Sequence, residues 1–160
     1  MAHSAPIEEM VEHNIDRTYA LLGGKATIRK PARNNMEVHD LLVMGLPAHA
    51  LLHLIRELSL LARGDVIEKA LGISMRTLQR KRKDGADAVL SPDQSNKTWK
   101  FAEILSRATG IFGSKDEAEA WMSRPATGLD LRRPIDLMAS PAGIEAIEDY
   151  LTRMEYGVYT

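Results

Sequence analysis

The chain of 160 residues has no cysteine. Disulfides and thiolate metal sites are therefore excluded, which suits a reducing compartment. Aromatic residues are scarce, with two Phe, two Trp and four Tyr. Net charge is −1, so attraction to a charged partner has to come from local clustering and not from the chain as a whole. No apolar run approaches the roughly 18 residues that cross a bilayer. The opening "MAHSAPIEEMVEHNID" has neither the basic start nor the apolar stretch of a signal peptide. A cytoplasmic protein without a membrane partner is expected. No Ser/His/Asp set, close carboxylate pair or glycine-rich nucleotide loop stands out. An enzyme is not expected, and neither is a cofactor.

What is present has helical spacing nearly throughout. Ile7, Met10, Val11, Ile15, Leu21 and Leu22 lie on roughly one helical face, and Gly23-Gly24 stops that helix. "KATIRKPARNN" has no period and reads as a linker or irregular arm. A second helical region begins near Met36 and breaks at Gly45-Leu46-Pro47, and a third covers about 47–62. Ser91, Pro92 and Gln94 form a capping box that opens a helix carrying Trp99, Ala102, Leu105 and Ala108 inward, with its stop expected at Gly110. Ser114 with Glu117 is a second capping box, opening a short helix through Trp121, and Ser140-Pro141 opens a last one with Ile144, Ile147, Leu151 and Met154 inward. Residues 126–139 are compact and irregular. The fold class expected is all-α. The change of character near 86–91 suggests two modules, 36–89 and 90–160, preceded by an N-terminal helix and linker over 1–35.

"DVIEKALGISMRTLQRKRK" has the layout of a helix-turn-helix. A short helix over 65–71 is followed by Gly72 at the sharp turn, where a left-handed residue is needed. Ile73 packs between the helices, Ser74 caps the second, and Met75 and Leu78 face inward. Ser74, Arg76, Thr77, Gln79, Arg80, Arg82 and Lys83 are the candidate DNA-binding residues. Arg grips guanine O6/N7 and Gln grips adenine N6/N7 with two hydrogen bonds each, so Arg76, Gln79 and Arg80 are assigned to base edges. Arg82 and Lys83 are assigned to phosphates. A solvated basic face is the plainer account of most charge runs. Arg76, Arg80, Lys81, Arg82 and Lys83 directly after a Gly-Ile-Ser turn argue against it. One feature runs the other way: the position four before the turn glycine, usually small, is Glu68.

Two weaker patterns are set aside. His49 and His53 stand one helical turn apart, but the zinc-peptidase motif needs a glutamate directly after the first histidine and Ala50 is there. No metal site is expected. "LLGGKAT" lacks the distal glycine of a phosphate loop, and Ala26, not Ser or Thr, follows its lysine.

From about Gly45 onward the sequence resembles the Xre/MbcA/ParS family of antitoxins, partners of RES-domain toxins. The resemblance rests on "LGISMRTLQRK", on "LSPDQSNKTWKFAEILSRATGIFGSKDEAEAWM" and on "RRPIDLMASPAGIEAIEDYLTRMEYGVY" in that order. It implies an Xre-like helix-turn-helix domain that dimerises and binds operator DNA, followed by a small helical toxin-binding domain. It also implies a RES toxin that cleaves NAD or uses it to modify a target, and higher assemblies of antitoxin with toxin. A stand-alone transcriptional regulator with a C-terminal dimerisation or ligand-binding domain is the rival.

Three of the four tyrosines, Tyr150, Tyr156 and Tyr159, crowd the last eleven residues. Read from the residues alone, Tyr156 and Tyr159 fit either a fold back onto the last helix or a partner's cleft. The resemblance favours the partner and places residues 155–160 at the toxin's NAD pocket. The toxin-binding set implied is Asp149, Arg153, Glu155, Tyr156, Gly157, Val158, Tyr159 and Thr160.

Overall fold

The computed structural model describes residues 5–85 and 87–157, with side chains from Ile7 onward. Among them the chain is helical almost throughout: α1 Ala5–Leu21, α2 Asn35–Met44, α3 Ala48–Glu57, α4 Gly64–Leu71, α5 Met75–Lys83, α6 Pro92–Phe112, α7 Lys115–Ser123, α8 Pro134–Leu137 and α9 Pro141–Glu155. Extended pairing among these residues is limited to isolated bridges, Pro47 with Val89 and Ala126 with Arg132. No described helix is long and apolar enough to cross a membrane.

The spine is α6. Ser91 Oγ accepts from Gln94 N–H at 3.1 Å and Gln94 Oε1 accepts from Ser91 N–H at 3.0 Å, so the expected capping box is present. Trp99, Ala102, Leu105 and Ala108 are buried as expected, with Phe101 and Ile104 fully buried beside them. α1, α2, α4, α7 and α9 all pack on this helix. Its end departs from expectation. The helix runs through Gly110 and is closed by Gly113, which has φ +94°. At Gly110 the Arg17 guanidinium of α1 lies over the space that a Cβ would enter.

The helix expected over 47–62 ends at Glu57. Leu58 turns extended and buried, and Ser59–Ala62 form a separate 3-10 turn. The cause is tertiary. Glu119 of α7 accepts from Leu60 N–H at 2.8 Å and Ser59 Oγ–H at 3.2 Å. A carboxylate that is itself 7% exposed thus caps the backbone of the turn. The stretch expected to be a linker is a packed arm. Ile28 and Ala32 are buried, and Tyr19 Oη donates to the Ile28 carbonyl at 2.6 Å.

Leu46 and the loop before α6 are sewn to the core. Leu46 N–H donates to Ser95 Oγ at 2.8 Å and Leu90 N–H donates to the Leu46 carbonyl at 2.8 Å. The C-terminal elements close around a ring cluster. Trp121 stacks on Tyr150 with centroids 5.8 Å apart, and Phe112 lies 5.3 Å from Trp121. Ile147 and Leu151 are fully buried, while Ile144 and Met154 pack at the margin.

Candidate nucleic-acid interface and C-terminal surface

The turn between α4 and α5 is built as its residue types require. Gly72 has φ +65°, in the left-handed region, and its N–H closes α4 on the Glu68 carbonyl at 2.9 Å. Ile73 is 1% exposed. Ser74 caps α5 by accepting from Thr77 N–H at 3.2 Å, and its hydroxyl bonds to Thr77 Oγ1 at 3.0 Å. Glu68 is exposed, and the inward residues of α4 are Ile67, Ala70 and Leu71. The large residue before the turn therefore points away from the helix crossing.

On α5 only Leu78 is buried. Arg76, Gln79, Arg80 and Lys83 are exposed and fall within about 100° of arc on a 3.6-residue helix. Arg82 is exposed but lies about 60° outside that arc, towards Leu78, and Thr77 is half-buried through its bond to the cap. Met75 differs from expectation. It is 41% exposed and lies across the start of α4, where a Cβ on Gly64 would come 2.9 Å from its Cγ. The first residue of a capped helix projects past the inward face, which begins at Leu78. Lys81 is tied to the Val89 carbonyl at 2.8 Å. No described ion pair engages Arg76, Arg80, Arg82 or Lys83, although Lys69, Lys97, Lys100 and Lys115 are all paired. A short helix with four unpaired cations on its open side is suited to phosphate and base-edge contact.

The C-terminal residues separate into groups. Tyr150 belongs to the ring cluster and is 8% exposed. Asp149 and Arg153 are exposed on α9. Glu155 is engaged inside the molecule. Its carboxylate accepts from Arg107 Nε at 3.3 Å and Nη2 at 3.2 Å, and Arg107 also donates to Thr152 Oγ1 at 3.0 Å. Tyr156 follows directly and is 63% exposed. Gly157 has φ +65° and turns the chain off the helix. Val158, Tyr159 and Thr160 lie outside the described residues.

Sequence reasoning did not find the ties between the halves of the chain. Lys69 of α4 binds Asp136 at 2.7 Å, and Arg133 grips the same carboxylate through two bonds of 2.9 Å. The hydrogen bonds from Arg133 and then Lys69 outweigh burial and hold the Asp136 carboxyl below the usual carboxylate range. Lys100 joins α6 to α9, with Glu148 at 2.7 Å and Glu103 at 3.1 Å. Burial works against its charge, but those carboxylates outweigh burial and raise its pKa. His49 is exposed and His53 lies against Gly23; among the described residues no group of three or more His, Asp or Glu could hold a metal ion.

Comparison with known proteins places names on both halves. Residues 37–103 match the family model of the antitoxin Xre-like helix-turn-helix domain. Residues 107–157 match that of the antitoxin Xre/MbcA/ParS C-terminal toxin-binding domain. The two matches meet within α6. Among similar proteins, an antitoxin Xre of Yersinia enterocolitica is 34% identical over 95 residues, 59% of this chain and 63% of that protein. An antitoxin Xre of Photorhabdus laumondii is 26% identical over 133 residues, 82% of this chain and 87% of the relative. One of Pseudomonas putida is 26% identical over 91 residues, 57% of this chain and 56% of the relative. The chain thus spans less than two thirds of the Yersinia and Pseudomonas relatives. With a helix-turn-helix match and a toxin-binding-domain match in succession from residue 37 to residue 157, the chain belongs to the Xre-type antitoxin family.

Proposed function

We propose that this protein neutralises a RES-domain, NAD-consuming toxin by seating its C-terminal segment in the toxin's active site, and that it represses its own operon through α5. It acts by occlusion and not by catalysis. The observation that carries the reading is the contrast between two tyrosines six positions apart. Tyr150 is buried in the ring cluster, whereas Tyr156 is 63% exposed where the chain leaves the toxin-binding domain. A phenol ring with a hydroxyl at its tip suits a cleft shaped for flat, hydrogen-bonding groups. Asp149, Arg153 and residues 156–160 make the contact. Glu155 holds the exit of the tail in place through Arg107, a role other than the pairing with toxin cations that its charge suggests.

On DNA, Arg76, Gln79 and Arg80 read base edges, Arg82 and Lys83 bind phosphates, and Ser74 and Thr77 position the helix. A homodimer presents two such helices to inverted half-sites. Support for a self-contact comes from α2, where Met36, Val43 and Met44 are exposed; Gly45, directly after them, abuts Val89, whose carbonyl is bonded to Lys81 of α5.

The test is removal of residues 156–160. The truncated chain is expected to keep its fold and operator affinity while the toxin regains NAD consumption in its presence. Full inhibition by the folded, truncated chain would overturn active-site blocking by the tail.

A further inference from the structure

α1 lies outside both family matches, and no role follows for it from them. Ile15 and Thr18 of α1 and Leu22 directly after it are buried, but Ile7 and Met10, expected on the same face, are 64% and 42% exposed. They are not stray surface residues. Together with Tyr156 they line a groove of about 260 Å³ whose other wall is α9 and whose base includes Arg107, Thr152 and Glu155.

The chemistry of the groove is specific. At its base the Arg107 guanidinium is held by both Glu155 carboxylate oxygens and by Thr152. That charge is already matched inside the molecule, so an ionic occupant would gain nothing from it and would lose its hydration. The rest of the lining is mixed: Ile7, Met10, Val11 and the Tyr156 ring lie beside Asn14 and Glu103, and the Glu103 carboxylate is already paired with Lys100. An occupant with an apolar side chain gains burial on Ile7, Met10 and the Tyr156 ring without leaving a charge unpaired.

We infer that α1 is the second wall of the toxin-docking surface, with an apolar side chain of the toxin seated between Ile7, Met10 and Tyr156. The inference rests on the antitoxin reading. It is argued from continuity: Arg107, Thr152, Glu155 and Tyr156 lie within the segment that matches a toxin-binding domain, and Ile7 and Met10 share their groove. α1 then contributes to partner choice from outside the region on which family membership rests.

The experiment uses the full chain carrying Ile7→Asp and Met10→Asp and, as probe, the purified RES-domain product of the adjoining gene. Both side chains are exposed, so the thermal midpoint and operator affinity are expected to match the parent. Toxin affinity is expected to fall about tenfold or more, the effect of losing an apolar anchor. Toxin affinity within about twofold of the parent overturns the inference while leaving the antitoxin reading intact. Loss of self-association at unchanged toxin affinity also overturns it, by assigning the groove to a second copy. If the parent chain does not bind the toxin, the antitoxin reading fails and the inference fails with it. A single Tyr156→Ala change on the opposite wall is expected to weaken binding in the same direction.

Discussion

Arg76 and Lys83 share a face of α5 and carry the same charge, yet the tasks proposed for them differ. Arg76 stands near the capped start of the helix, the end that approaches base edges in a helix-turn-helix. Lys83 is the last helical residue, and a lysine there acts as a point charge for phosphate. Arg76→Ala is therefore expected to cost about 1–3 kcal/mol at the cognate operator and to relax its preference over altered sites. Lys83→Gln is expected to weaken binding to all sequences alike and to lower the salt slope by about 1. Titration of both variants on cognate and scrambled duplexes across a salt series separates the two effects. The reverse pattern would mean that α5 enters DNA rotated from the orientation assigned here.

Among the elements, α6 bears most of the architecture, and its start depends on a few side chains. Ser91→Ala removes the acceptor for Gln94 N–H and breaks the reciprocal box. A loss of about 1 kcal/mol is expected, read as a lower denaturant midpoint with unchanged slope. Such starts were legible in the sequence because a cap is local chemistry: Ser74, Ser91, Ser114 and Ser140 all accept the N–H three residues on. Helix ends were less legible, because distant groups decide them. Glu119 captures the turn after Glu57 from a position 59 residues away from Leu60. Gly110 lies inside α6 beneath the Arg17 guanidinium of another helix, and the helix runs on past it to Gly113. Leu78 follows from periodicity and Ile73 from the layout of the turn, whereas the exposure of Ile7, Met10 and Met75 follows from neither. An apolar residue near a helix start has the right spacing for a core that stops one turn short of it. Of the candidate site, the turn at Gly72 and the outward cations of α5 could be read in advance. The engagement of Glu155 by Arg107 could not, since it joins residues 48 apart.

For the whole molecule, the helix-turn-helix is tied to the C-terminal elements by ion pairs as well as by the core. Lys69 of α4 and Arg133, just before α8, share the Asp136 carboxylate. Because the Asp136 pKa is lowered on folding, its contribution to stability is complete above the usual aspartate range. The contribution is lost as pH falls through the depressed folded value. Asp136→Asn is expected to lower the thermal midpoint at neutral pH and to flatten its fall on acidification. Parallel midpoint curves for parent and variant would show that the tie carries no linkage.

The central claim is occlusion of an NAD-consuming partner by the surface that ends in Tyr156. Its most direct test is NAD loss by the purified RES-domain toxin of the adjoining gene, titrated with this chain. The account predicts a stable complex through high salt and a fall in NAD consumption that completes at a fixed stoichiometry. Undiminished NAD consumption in the presence of excess folded chain would contradict it, and operator binding by the chain alone would then leave a plain transcriptional regulator as the function.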